Sequence, residues 1–142
     1  MSQPEAATPS PQSPLPQPPL KNEWQKFIAG FRYAFHGLWY AFRTQRNARV
    51  HVGIAILVIL MGIVLRISAV EFAVIFVTIA VVFTAELFNT VIELCVDLAS
   101  PGYHELAKVA KDMAAGAVLL SAILAIIIGL FVFVPHLWAL IF

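Results

Sequence analysis

Charge is what this sequence has least of. Only 12% of its 142 residues are Asp, Glu, Lys or Arg, against 61% that are apolar, whereas soluble domains carry about a quarter charged. A soluble fold of this size could not hide so much apolar surface, so a membrane protein is expected. Nine basic and eight acidic residues nearly cancel to +1 at pH 7. That balance provides no basic face, and nucleic acid is excluded as a partner. The one cysteine, Cys95, excludes an intrachain disulfide and a multi-cysteine zinc site; it reads as a small packing residue on a helix. No two histidines stand at a metal-binding spacing, and His36, His51 and His136 read as interfacial or solvated. There is no G-x-x-x-x-G-K-[ST] loop and no protein-kinase motif. No secretory signal is expected, because the first long apolar run begins only near Val50.

Prolines and apolar runs are what the chain does have. Residues 1–20, "MSQPEAATPSPQSPLPQPPL", are rich in Pro, Ser and Gln. Proline fixes φ and removes backbone donors, so this tail is expected to be extended or disordered, leaving 21–142 as the folded domain. A first helix is expected over 23–46. Its Trp24, Phe27, Ile28, Phe31, Phe35, Leu38, Trp39 and Phe42 recur at spacings of three and four and share roughly 120° of a helical wheel. With Lys26, Arg32 and Arg43 on its flanks, such a helix suits the membrane interface, or packing against other helices.

Three spanning helices are expected at about 50–67, 70–98 and 113–134. Pro135 reads as the stop of the third, with Trp138 as an interfacial aromatic beyond it. The second is longer than a bilayer needs, so one end should reach headgroups or water. Lys21, Lys26, Arg32, Arg43, Arg46 and Arg49 precede the first span, Lys108 and Lys111 lie between the second and third, and only Arg66 falls on the other side. The positive-inside rule makes the side with many basic residues cytoplasmic, with the C-terminus outside. The fold class is therefore all-α membrane protein, an amphipathic helix followed by three transmembrane helices.

Within the second span, "TAELFNTVIELCVD" holds Glu86, Asn89, Glu93 and Asp97. On an α-helix the last three lie at roughly −60°, −20° and +20° from Glu86, with Thr90 near +40°, along about 16 Å of one edge. An ionised residue at mid-bilayer costs about 2.5–3.5 kcal/mol even on a lenient scale. The stripe is either the solvated face of a helix extension or a metal or proton site at the membrane surface. The next segment, "SPGYHELAKVAKD", opens on a Pro-Gly turn and adds Tyr103, His104, Glu105, Lys108, Lys111 and Asp112. Carboxylates that hold a divalent cation on phosphates, with a lysine beside them, are a recurring arrangement for phosphoryl transfer. An ion relay is the rival reading, but the first and third spans offer no ionisable partner at matching depth. A structural scaffold is another. Ala114, Ala115, Gly116 and Ala117 form a small-residue patch that serves close helix packing or leaves room for a lipid beside Glu86.

The stretch "AELFNTVIELCVDLASPGYHELAKVAKDMAAGAVLL" resembles the signature of the small bacterial integral-membrane lipid kinases, the diacylglycerol kinase and undecaprenol kinase family. The shared pattern is E-x-x-N-[ST]-x-[IV]-E-x-x-V-[DN], a short loop, A-K-x-x-K-D and A-A-G-A-V, and the likeness runs from about Lys26 to the C-terminus. It implies a homotrimer with an interfacial helix and three spans per protomer, and active sites shared between protomers at the cytoplasmic surface of the bacterial cell membrane. It further implies ATP as co-substrate, Mg2+ as cofactor and a membrane lipid alcohol as acceptor.

Position by position, the resemblance makes Glu86 the catalytic base, which also contacts the lipid hydroxyl, and puts Asn89 near the reacting groups. Glu93 becomes a metal-ligand glutamate. Lys111 with Asp112, and the loop of Gly102, Tyr103 and His104, would bind the nucleotide; Lys26 and Tyr33 fall at positions that contact ATP in relatives. Ala115 is a weak candidate for lipid contact. One position departs from the family: Gln45 stands where a second metal-ligand glutamate is usual, so it is a weak metal ligand, with Asp97 or a water to compensate. The "TQRN" stretch and the segment after Leu98 look more like the Gram-positive branch, which implies undecaprenol, with diacylglycerol as the alternative.

Overall fold

The structure is a computed structural model that describes residues 22–141. The expected Pro-rich tail over 1–20 lies outside the described residues, as does Lys21. The chain divides into two units, one ending at Tyr33 and the other beginning at Ala34. Four helices occur, α1 (Glu23–Thr44), α2 (Arg46–Val64), α3 (Ala69–Ala99) and α4 (Glu105–Ile141), and there is no strand among the described residues. The last three are long and apolar enough to cross a membrane, at about 28, 46 and 55 Å for a 1.5 Å rise per residue. This is an all-α, multi-pass membrane protein.

Each boundary has a local cause. At the start of α1, Asn22 Oδ1 accepts from the Gln25 amide at 2.9 Å, an N-cap. The helix ends at Thr44, short of the expected residue 46, because Gln45 is extended (φ −93°, ψ 119°). The Arg49 guanidinium then donates to the Arg43 carbonyl at 3.1 Å, satisfying one of the acceptors a helix end leaves open. The α1 aromatics meet edge-on or stacked, Phe27 and Phe31 at 5.0 Å and Trp39 and Phe42 at 6.0 Å. Most of its large apolar side chains are exposed.

The turn from α2 to α3 is a Schellman motif: Ile67 N donates to Gly62 O at 3.1 Å and Arg66 N to Ile63 O at 3.2 Å. Its left-handed residue is Arg66 (φ 52°), in a place where glycine is usual. A Cβ on Gly62 would lie 3.0 Å from the Ile67 methyl and 3.1 Å from the Phe72 ring, so the turn closes against bare backbone. Just after it, α3 opens on a capping box. Ser68 Oγ accepts from Glu71 N at 3.3 Å and Glu71 Oε2 accepts from Ser68 N at 2.7 Å. The compact core sits at this end, where Ile67, Ile75, Val132 and Phe133 are buried together.

The helix that carries the third expected span runs further than that span at both ends. It begins at Glu105, not Met113, because "ELAKVAKD" is built of good helix formers and Lys108 pairs with Asp112 one turn on. Pro135 does not stop it; the helix continues to Ile141. Proline removes one donor, that for the Phe131 carbonyl. One residue on, His136 Nδ1 lies 2.9 Å from the Val132 carbonyl, adding a side-chain bond beside the gap. Cys95 lies on α3 and is exposed in the single protomer.

Candidate active site

The polar stripe of α3 is a gradient of burial. Glu86 is 2% exposed and Asn89 and Thr90 are buried too, whereas Glu93 is half-buried and Asp97 largely open. All five lie on one helical edge because their spacings of three, four and seven return to the same side of a 3.6-residue turn. Glu86 thus sits innermost, and Glu93 is about 10 Å further along the axis toward the α3–α4 loop.

The hydrogen bonds along this edge are incomplete. Thr90 Oγ donates to the Glu86 backbone carbonyl at 3.0 Å, and Asn89 Nδ2 donates to Glu93 Oε1 at 3.1 Å. Glu86 Oε2 and Asn89 Oδ1 are buried without a partner. A buried acceptor left unpaired costs about 1–3 kcal/mol, and here two occur within one helical turn. Both are oxygens that require a donor hydrogen or a cation. His51 of α2 and Glu93 lie within electrostatic reach of Glu86. His51 is half-buried and lines an apolar cavity of ≈ 410 Å³ between α2, α3 and α4, to which α3 contributes Val82 and Phe83 immediately before Glu86.

Beyond Glu93 the charged side chains pair with one another. Lys111 Nζ bonds Asp97 Oδ1 at 2.5 Å across the loop, while Asp112 is taken by Lys108 at 2.9 Å. Lys111 and Asp112, both expected to bind the nucleotide, are thus held by different partners. In the loop, Tyr103 is 87% exposed, and Gly102 O accepts from Ser100 Oγ at 3.2 Å. His104 starts α4, its Nδ1 accepting from Leu106 N at 3.2 Å. Ala114 is buried and Ala115 exposed, so Ala114 is the small residue that α4 packs inward. Gln45 is half-buried at the start of α2 and its side chain makes no cap bond. On α1, Lys26 pairs with Glu23 at 2.7 Å and the Arg32 guanidinium lies over the Tyr33 ring at 5.5 Å.

No group of three or more His, Cys, Asp or Glu that could hold a metal occurs among the described residues. Mg2+ does not need one, since it is usually bound by one or two carboxylates with phosphate and water completing an octahedron. The Glu93 carboxylate with the unpartnered Asn89 Oδ1 one turn away is a hard-oxygen donor set that fits it. Sequence reasoning placed Lys108 in the loop and His51 among interfacial residues without seeing their partners, and it missed the Ser68–Glu71 cap. The cap carries the Ser-x-x-Glu signature before an apolar run; contacts between helices leave no such mark.

A helical membrane protein with acceptor oxygens buried in one span and cations at its outer turn is the class that fold and site define. A model of the prokaryotic diacylglycerol kinase family matches residues 32–133. The diacylglycerol kinase of Synechocystis sp. is 46% identical over 128 residues, covering 87% of this chain and 73% of the relative. The undecaprenol kinase of Bacillus subtilis is 43% identical over 117 residues, 82% of this chain and 95% of the relative. The diacylglycerol kinase of Escherichia coli K12 is 29% identical over 102 residues, 72% and 84% of the two chains. The chain belongs to the prokaryotic diacylglycerol kinase family.

Proposed function

We propose that the protein transfers the γ-phosphoryl group of ATP, in the presence of Mg2+, to the hydroxyl of a membrane lipid alcohol, with undecaprenol as the preferred acceptor. Membership of the family makes it a lipid kinase that acts on an alcohol. The observation that carries the mechanism is the buried Glu86 carboxylate with an unpartnered oxygen in an apolar span. A hydroxyl is the donor such an oxygen lacks, and the lipid brings one within hydrogen-bond reach.

Glu86 then accepts the hydroxyl proton as the alcohol oxygen bonds to the γ-phosphorus and the bond from that phosphorus to the β–γ bridging oxygen breaks, releasing ADP. Asn89 holds Glu93 in place and turns its own carbonyl oxygen toward the reacting groups. Glu93 and Asn89 Oδ1 would hold Mg2+, with Gln45 as a weak further ligand, and the ion would supply neutralisation of phosphate charge. Lys111 and Asp112, the loop of Gly102, Tyr103 and His104, and Lys26 with Tyr33 position the nucleotide, and Ala115 contacts the lipid. Phosphoryl transfer asks mainly for such positioning and charge neutralisation. Three protomers share the sites, and the cluster of Arg43, Arg46, Arg49, Lys108 and Lys111 keeps them on the cytoplasmic face.

Undecaprenol is supported by the likeness to the B. subtilis protein over nearly its whole length. Diacylglycerol stands as the second reading because the protein of that name from Synechocystis is slightly more identical. The test is competition: purified protein in vesicles containing both alcohols at equal surface density, with labelled ATP. Label mainly in undecaprenyl phosphate is expected. Label mainly in phosphatidate reverses the substrate assignment, and label in neither defeats the kinase reading.

A further inference from the structure

The proposed phosphate lysine is held by a partner for which the mechanism above has no use. Lys111 Nζ sits 2.5 Å from Asp97 Oδ1, bridging the last turns of α3 to the first turns of α4 across the five-residue loop. The two side chains are 37% and 64% exposed, a setting in which ion pairs contribute little to stability. What the pair does is geometric. A lysine side chain is long and freely rotating, and this contact draws its ammonium onto the α3 side, one helical turn from Glu93. Lys108, one turn earlier on α4, is held instead along its own helix by Asp112. Of the two lysines that open α4, only Lys111 is turned across to the acidic stripe.

We propose that Asp97 is the positioning residue for Lys111: it aims the ammonium at phosphate oxygens bound beside Glu93, and it is not a metal ligand standing in for the glutamate missing at position 45. The inference rests on the kinase reading above. Aiming the lysine beforehand removes ordering that nucleotide binding would otherwise have to supply. Removing the aim should weaken nucleotide binding and leave the chemical step and the lipid almost untouched.

The experiment uses full-length protein in lipid vesicles, comparing wild type, Asp97→Asn and Asp97→Glu. Asp97→Asn is expected to raise KM for ATP roughly three- to tenfold, the scale of ordering one long side chain. Its kcat, its KM for the lipid alcohol and its thermal midpoint should remain near wild type. Asp97→Glu, which keeps the charge, should recover most of the loss. In a Lys111→Met background, Asp97→Asn should add nothing. An unchanged KM for ATP overturns the proposal. A lowered KM also overturns it, because the carboxylate is then a competitor for the lysine. A steeper requirement for Mg2+ at unchanged KM for ATP would return Asp97 to the metal. If Asp97→Asn does not reach the membrane, Asp97→Ala replaces it: the same roughly three- to tenfold rise in KM for ATP at a near wild-type thermal midpoint is expected, and an unmoved KM refutes. Absence of any lipid phosphorylation by wild type would instead defeat the kinase reading beneath it.

Discussion

Replacing Glu86 with glutamine separates what this side chain does for the reaction from what it does for the fold. Gln has the same shape, so the packing that leaves Glu86 2% exposed should survive. The native carboxylate has no partner for Oε2, so no bond is lost there, and a neutral amide is easier to hide than a carboxylate. Stability of Glu86→Gln should therefore lie between no change and a gain of about 2 kcal/mol. Activity should go the other way. Loss of a general base lowers rates by roughly 10²–10⁴-fold. Glu86→Asp withdraws the carboxylate by one methylene, and misplacement by an ångström or so can cost about 10²-fold. The assay is labelled phosphate incorporated into lipid alcohol in vesicles, beside thermal unfolding in the same detergent. A variant that keeps more than a tenth of wild-type activity refutes the base assignment. One that loses stability in proportion to activity shows that Glu86 is structural.

Other substitutions test the frame that holds the site. Gly62→Leu drives a branched side chain into Ile67 and Phe72 and should lower stability by about 1–3 kcal/mol, read as a lower unfolding midpoint. Arg66→Gly relieves a left-handed backbone at the α2–α3 turn and should raise stability by about 1 kcal/mol, the residue-level penalty of that conformation; a lowered midpoint would show that the side chain matters more than the backbone. Ser68→Ala removes half of the capping box and should lower stability by about 1 kcal/mol, with kcat unchanged because the α2–α3 turn is at the far end of α3 from Glu93.

The stripe on α3 is legible in the sequence because helical geometry alone decides it. Glu86, Asn89, Glu93 and Asp97 share an edge whatever surrounds the helix, and the structure adds the burial gradient and the Asn89–Glu93 bond. Contacts between helices are not legible in the same way. That Lys111 meets Asp97 across the loop and not its neighbour Asp112 depends on how α4 returns along α3, which no spacing reveals. The coupling of His51 to Glu86 is of the same kind. The first turns of α4 read as a loop because polar residues break the apolar run there, yet Ala, Leu, Glu and Lys are all strong helix formers. Pro135 misleads in the opposite sense, since a helix can absorb one missing donor.

The length of α3 has a consequence of its own. Glu86 lies seventeen positions after Ala69, about 26 Å of rigid rod, close to the roughly 30 Å depth of the hydrocarbon layer. On the proposed reading the capped start of α3 lies at one leaflet, which would put the carboxylate near the boundary of the other, at the depth of an alcohol headgroup. The rod cannot shorten, so on that reading the host bilayer would set how well the two meet. Thinner or thicker membranes force tilt or local deformation, so activity is expected to depend on the thickness of the vesicle bilayer.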